Sequence, residues 1–331
     1  MDSMRAIVQH SFGGPEVLEV ESRPVPEPLP TEVRVRVEAA GVNPVDWKTR
    51  AGKGAAAQFG LPLTVGWDVT GVVDAVGLGV TRFAVGDPVF GMPWFPRPAS
   101  AYAEFVTAPS RHFARRPDAL PVEQAAGLSL AGLTAWQCLV DIAQVQPGQR
   151  VLIHAAAGGV GHLAVQIAKA RGAHVIGTAS AAKHDLLAEL GVDEAVDYRS
   201  QKFEDVVEPV DVVYDLIGGD VAERSLDVLR PDGIQISLPS AAAAAAVEAA
   251  KARGRNAVGM MVEPDGDGLE ELAALVRGGG LRVLVDETFP LARAADAHRL
   301  GEAGRTTGKI CLLYTSPSPR DISGSRMPSS A

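Results

Sequence analysis

An α/β protein in two parts is what this chain predicts: a barrel of short strands, then a doubly wound parallel sheet. Up to about residue 120, short strand-like runs at 32–40, 68–76 and 101–107 alternate with Pro- and Gly-rich breakers at 24–30, 52–60 and 86–88. Frequent breakers between short strands are the pattern of a compact β-barrel. From Val122 the style turns alanine-rich and helical. Six strand-like segments then follow at 151–155, 174–178, 194–197, 210–215, 233–238 and 257–262, with helical stretches between them. That alternation builds a parallel sheet with helices on both faces. After a helical stretch at 267–277 and the linker Gly278-Gly279-Gly280, residues 281–288 and 309–312 again read as strands, returning to the first part. The expected domains are therefore 1–121 with 280–313, and 122–279. The alanine run 241–246 is most simply a helix.

Composition sets the outer limits. The 331 residues suit two domains, and 47% hydrophobic with 21% charged residues is ordinary for a soluble globular protein. No run is expected to reach the roughly 20 apolar residues of a membrane span. The start shows no signal-peptide pattern. A net charge of −9, with no basic cluster larger than Arg115-Arg116, argues against nucleic acid as the main partner. Two distant cysteines, Cys138 and Cys311, exclude a disulfide framework and suit a reducing cytoplasm. From Leu312 the sequence becomes Ser- and Pro-rich without periodicity. Residues 314–331 are expected to be a non-native tail of vector type, the other reading being a natural disordered tail.

The chemistry begins at residues 151–161, where an apolar strand runs into a small-residue turn and then a helix. The register is Ala156-x-Gly158-x-x-Gly161, with alanine at the first glycine of a dinucleotide fingerprint. Such a turn lets backbone approach a pyrophosphate, and the helix N–H groups then meet its charge. Alone the match is weak; the strand on schedule at 174–178 strengthens it. An NAD site places an acid at the end of that strand. Here the chain reads Gly177-Thr178-Ala179-Ser180-Ala181-Ala182-Lys183, and the first carboxylate, Asp185, lies in the next helix. A hydroxyl and an ammonium suit a 2′-phosphate, so NADPH is expected. Ser180 reads equally as a helix N-cap and Lys183 as a solvated charge.

These residues resemble the medium-chain dehydrogenase/reductase superfamily, and within it the zinc-independent quinone oxidoreductase group. The resemblance rests on Phe12-Gly-Gly-Pro-Glu-Val-Leu, Gly41-Val-Asn-Pro-Val-Asp, Val85-Gly-Asp-Pro-Val-Phe-Gly, Ala131-Gly-Leu-Thr-Ala-Trp, the turn at 155–161 with Gln166-Ile-Ala-Lys, and Val196-Asp-Tyr-Arg. It implies a GroES-like barrel followed by a Rossmann domain, with the active cleft between them and a homodimer as the usual assembly. It places Tyr198, with Ser180 and Lys183, around the 2′-phosphate, and Asn43 and Thr134 near the nicotinamide. Ala157, Gly158, Gly159, Val160, Gly161 and Ile217 complete the cofactor set it implies.

At the first zinc-ligand position of alcohol dehydrogenases this chain carries Asn43, and at the Gly-His-Glu position it carries Gly66-Trp67-Asp68. Neither offers a thiolate or imidazole, and residues 91–110 hold no cysteine for a structural zinc lobe, so no metal is expected. The seven histidines form no close pair and are expected at surfaces or strand ends. Without a metal, hydride transfer favours an acceptor that spreads its charge, a quinone or an α,β-unsaturated carbonyl. Asn43 and Lys48 are candidate donors to the acceptor oxygen. Asp46 would pair with Lys48 or orient the nicotinamide ribose, an exposed loop ion pair being the plain alternative. Trp94, Phe95 and Tyr102 either wall the acceptor pocket or fill the barrel core. Cys138 is expected in the core. Two further functions stay open: an enoyl-thioester reductase, and a protein that binds NADPH without turnover.

Overall fold

The computed structural model describes residues 2–54, 59–238 and 241–314. In chain order its first part runs β1 (Ser3–Val8), β2 (Glu19–Pro24), β3 (Glu32–Val42), α1 (Pro44–Arg50), β4 (Asp68–Val76), β5 (Pro88–Gly91), β6 (Phe105–Pro109) and β7 (Phe113–Arg115). Helix α2 (Val122–Trp136) leads into β8 (Arg150–Ile153), α3 (Gly161–Ala170), β9 (His174–Ala179), α4 (His184–Glu189) and β10 (Glu194–Asp197). Next come α5 (Phe203–Val206), β11 (Val210–Asp215), α6 (Asp220–Val228), β12 (Leu229–Ser237), α7 (Ala241–Ala252), β13 (Asn256–Gly259) and α8 (Gly266–Arg277). The chain closes with β14 (Val285–Pro290), α9 (Ala294–Glu302) and β15 (Lys309–Leu313).

The second part is a parallel sheet in the order β10-β9-β8-β11-β12-β13. Its central strands are apolar on both faces, as helices on each side demand; Val175, Ile176, Val212 and Val213 are all buried. The first part is a seven-stranded sheet, β14-β15-β3-β4-β5-β7 with β6 on β3, beside a β1-β2 hairpin. Along β3, Val33, Val35 and Val37 alternate inward onto Val69, Val73 and Val106. The returning strand β15 lies antiparallel to β3, with Ile310 opposite Val42 and Cys311 opposite Gly41. Leu312 is fully buried, and Tyr314, expected as the first residue of the tail, donates its hydroxyl to the Ala101 carbonyl at 2.6 Å and so belongs to the fold. The rest of that tail, 315–331, lies outside the described residues.

Helix α2 packs on β3, β4 and β5 of one sheet and on α3 and α8 of the other. It continues through a wider π-helical turn at Gln137–Ile142. The resulting Val122–Ile142 helix is long and apolar enough, by length and composition, to cross a membrane, contrary to the expectation that no run would be. Its apolar character answers to the core instead, since 72% of its apolar 18-residue window is buried inside the protein. Cys138 is buried there, as expected, and burial pushes its thiol up to about 12.

Candidate active site

After β8 the chain turns through residues 154–160 before α3 begins. The turn folds back on itself: Gly158 N–H donates to the Ala155 carbonyl at 2.9 Å, and His162 N–H to the Gly158 carbonyl at 3.1 Å. Gly161 must be glycine, because a Cβ there would lie 2.2 Å from the Ala155 oxygen. The alanine at the first fingerprint position is absorbed by the neighbouring strand. A Cβ at Gly177 of β9 would come within 3.0 Å of the Ala156 methyl, so the side chain gained in the turn is offset by one missing in β9. Small residues against the head of α3 form the cradle a pyrophosphate requires. The residues present fit a nicotinamide dinucleotide.

Two cavities meet at this turn and share Gly158. The larger, about 670 Å³, is lined by Ala157, Gly158, Ser180, Lys183, Tyr198 and Ile217 among others. Ser180 sits at an N-cap position but makes no capping hydrogen bond. Lys183 is not a free surface charge either; its ammonium donates to the Thr306 carbonyl at 3.3 Å, across the mouth of the cleft. Asp197 pairs in register with Ala179 at the end of β9. Its carboxylate turns aside to the Ser200 hydroxyl (2.8 Å) and the Arg199 N–H (3.1 Å), bonds that hold it below the usual carboxylate range. It does not line the cavity.

The smaller cavity, about 220 Å³, is lined by Asn43, Gly159, Val160, Gly161, Thr306 and Lys309 among others. Three strand ends converge there. Asn43 follows Val42, the residue of β3 opposite Ile310, so Lys309 falls beside Asn43; Gly41 of β3 pairs with Asp68, the first residue of β4. The Lys309 ammonium donates to the Asn43 side-chain oxygen and lies 3.5 Å from Asp68 Oδ2. Asn43 Nδ2 donates to the same Asp68 oxygen at 2.8 Å, and the Leu130 N–H of α2 donates to Asp68 Oδ1 at 2.5 Å. All three side chains are buried. Sequence reasoning missed Lys309 because Gly-Lys-Ile reads as an ordinary strand start. Only the pairing register brings it to Asn43.

Asp46 and Lys48 do not pair. Lys48 is exposed on α1 and lines neither cavity. Asp46 is fully buried, accepting the Asn43 N–H at 2.6 Å in a capping box and the Tyr102 hydroxyl at 3.1 Å. Burial, with Asp68 nearby, pushes its carboxyl up to about 7 against the Asn43 N–H, Lys309 and Tyr102, which favour the anion. The Tyr102 oxygen also lies 3.2 Å from His298 Nε2. His298 Nδ1 in turn meets the Arg50 guanidinium at 3.2 Å, and Arg50 ends on Glu302 at 2.6 Å. Arginine only donates, so His298 holds its proton on Nε2 and donates to Tyr102, which donates to Asp46. Of its two open roles, Tyr102 therefore fills the barrel core. Trp94 donates its indole N–H to the Thr107 carbonyl at 2.8 Å, Phe95 packs edge-on against Trp67, and both lie outside the two cavities. Thr134 is buried, its hydroxyl bonded back to the Leu130 carbonyl at 2.6 Å, and it too lines neither cavity. Of the histidines expected at surfaces or strand ends, His112 and His154 are buried at strand ends, beside β7 and β8, whereas His162 and His298 depart from the expectation and are buried in α3 and α9. His162 ties the turn to the crossover, with Nδ1 on the Gly158 carbonyl (2.9 Å) and Nε2 accepting from Leu284 N–H (3.1 Å).

Comparison with known proteins agrees with this geometry. Residues 29–118 match the alcohol dehydrogenase GroES-like domain, and residues 190–312 match a family described as zinc-binding dehydrogenase. A quinone oxidoreductase of Pseudomonas aeruginosa is 37% identical over 321 residues, covering 92% of this chain and 97% of that protein. The chain belongs to the quinone oxidoreductase-like group of medium-chain dehydrogenases/reductases. An Arabidopsis thaliana chloroplastic NADPH-dependent alkenal/one oxidoreductase is 35% identical over 328 residues, covering 95% of this chain and 80% of that protein. The solved structure of a Coxiella burnetii quinone oxidoreductase superposes with a TM-score of 0.90 at 39% identity, covering 95% of this chain and all of the other. The protein is thus an oxidoreductase of a nicotinamide-dinucleotide-binding family.

The zinc in one family description does not carry over to these side chains. At the ligand positions stand the Asn43 amide, the Trp67 indole, whose N–H donates to the Arg97 carbonyl at 2.6 Å, and Asp68, already engaged by Leu130, Asn43 and Lys309. Among the described residues no group of three His, Cys, Asp or Glu is arranged to hold a metal. This donor set does not fit zinc.

Proposed function

We propose that the protein is an NADPH-dependent reductase that delivers hydride to the conjugated carbon of a quinone or an α,β-unsaturated carbonyl, without metal or flavin. One observation carries the reading: a single glycine turn joins two cavities of complementary chemistry. At one end Ser180, Lys183 and Tyr198 offer a hydroxyl, an ammonium and a phenol, while the two carboxylates that also line this cavity, Glu204 and Asp220, are both held by Arg224. At the other, Asn43 and Lys309 offer donors where no thiolate or imidazole stands. When bound, reduced nicotinamide supplies the hydride. The 2′-phosphate would draw Lys183 from the Thr306 carbonyl into a charge-assisted bond. Asn43 keeps one amide hydrogen after bonding Asp68 and turns it toward the acceptor oxygen. Donors of this kind suffice when charge spreads through an enolate or hydroquinone anion. The quinone oxidoreductase of Pseudomonas aeruginosa and the alkenal/one oxidoreductase of Arabidopsis thaliana point to the same acceptors. Strand β13 is an open edge of the six-stranded sheet, which supports a homodimer built across it; the cytoplasmic location in this reading rests on the two free cysteines, Cys138 and Cys311.

The test is cofactor discrimination followed by an acceptor panel. Lys183→Ala should cost about 1.5–3 kcal/mol in NADPH binding and leave NADH binding nearly unchanged. Equal losses for the two cofactors contradict the assignment. NADPH oxidation assayed against quinones, alkenals and enoyl thioesters then separates the acceptor classes, and a clear preference for thioesters would replace the acceptor named here.

A further inference from the structure

Resting on that reading of the acceptor, we propose that Lys309 is a catalytic residue: its buried ammonium is the fixed cation that receives the negative charge developing on the acceptor oxygen. Asn43 and Asp68, two of the three residues at the zinc-ligand positions, do not simply leave a gap. They hold an ammonium between them, by its bond to the Asn43 oxygen and its 3.5 Å approach to Asp68. Lys309 is the one charged side chain lining the 220 Å³ cavity among the described residues, whereas Asp68 does not line it. The ion pair therefore presents its positive end to the acceptor. Asp68 also accepts from the Leu130 N–H and Asn43 Nδ2, so its charge is spread over inward donors. An ammonium carries three hydrogens, and two are engaged by Asn43 and Asp68; the third remains for the acceptor. The stem is fixed as well, lying against α2, where a Cβ at Gly127 would come 3.1 Å from Lys309 Cβ and Cγ. A cation held in place in a water-poor site needs no reorganisation as charge appears, which is where such a group acts most strongly.

The reaction balances simply. A hydride leaves the reduced nicotinamide and forms a C–H bond at the β-carbon, and the electron pair of the C=C bond moves to give an enolate beside Lys309. Solvent then returns one proton to the α-carbon. The Lys309 ammonium stabilises the enolate oxygen and is not consumed.

Two readouts test this. The first uses 4-nitrophenol bound to the NADP⁺ complex, its visible absorbance reporting the phenolate, an oxyanion that mimics the enolate oxygen. The parent should bind phenolate in preference to phenol. Lys309→Met should lose that preference by at least about tenfold, and Lys309→Arg should retain most of it. The second is single-turnover hydride transfer, expected to slow by about 10²–10³ in Lys309→Met while the NADPH dissociation constant stays within a few-fold. Should the lone variant fail to fold, Lys309→Met with Asp68→Asn removes both charges of the pair and is read the same way. No phenolate preference in the parent, an undiminished one in the charge-free variants, or a loss confined to NADPH affinity would overturn the proposal. A phenolate preference that depends on Lys309, in a protein that reduces neither quinones nor enones, would leave Lys309 in place and remove the acceptor assignment instead.

Discussion

The two ends of the cleft are built in opposite ways. The end proposed for the adenosine is local: a turn, the end of β9 and the loop after β10 supply Gly158, Ser180, Lys183 and Tyr198 within about forty residues of one another. The end proposed for the nicotinamide is assembled from three strand ends far apart in sequence, with Asn43 after β3, Asp68 opening β4 and Lys309 opening β15. At the first end the side chains face a cavity and hold little of the fold together. At the second they are buried in each other, so the site is part of the core.

Breaking Asp68 probes that difference most strongly. Asp68→Ala leaves the Lys309 ammonium buried without its counter-charge and the Leu130 N–H without its acceptor. Removing one partner of a buried pair costs about 3–5 kcal/mol, so urea unfolding should show a loss of that size. Lys183→Ala, at the other end, should change stability by less than about 0.5 kcal/mol. Similar losses at both ends would erase the distinction.

A pH series sharpens it. Asp46 has a folded carboxyl pKa raised to about 7 from 3.8, chiefly by burial. The folded state therefore binds this proton more tightly than the unfolded chain. The contribution is fully present below the unfolded value and is lost as pH rises through the folded one. The full window is worth about 4 kcal/mol. The buried histidines run the other way: burial pushes His154 and His162 down to about 4 and His298 to about 3, so they cost stability as pH falls below about 6.5. Comparing Asp46→Asn with the parent cancels those histidine terms. The variant should gain on the parent as pH rises from about 4 to about 7, then run level. A stability difference that stays flat across this range would mean Asp46 is ionised throughout.

The same contrast explains what the sequence revealed. The turn at 155–161, the strand at 174–178 and the missing acid at Ala179 and Ser180 were legible because each lies within one strand–turn–helix unit. Fingerprint spacing fixes their place in space, and the structure sets Ser180, Lys183 and Tyr198 on one cavity. Even the departure at Ala156 has its explanation nearby, in Gly177. Lys309 was not legible, because nothing in Gly-Lys-Ile says which strand will lie opposite. The chain Arg50–His298–Tyr102–Asp46 was hidden for the same reason, joining α1, a loop and α9. Its members looked like a pocket wall and a loop ion pair. Their burial, set by how α9 packs on the barrel, decides otherwise.

The smallest expected effect is the most direct check on that lesson. By sequence, Lys48 stood beside Asn43 in the motif and served as well as any cation to polarise an acceptor. In the fold, α1 carries it to the exposed side of the helix, while Asp46 turns inward to Asn43 and Tyr102. Among the described residues its ammonium has no hydrogen-bond or ion-pair partner, and neither cavity includes it. Lys48→Ala should therefore leave stability within about 0.5 kcal/mol and hydride transfer within about twofold of the parent. The pair Lys48→Ala and Lys309→Met, read side by side with the same quinone, separates closeness in sequence from closeness in space. If Lys48→Ala slows hydride transfer tenfold or more, α1 moves on cofactor binding, and the cation that meets the acceptor belongs to α1 rather than to β15.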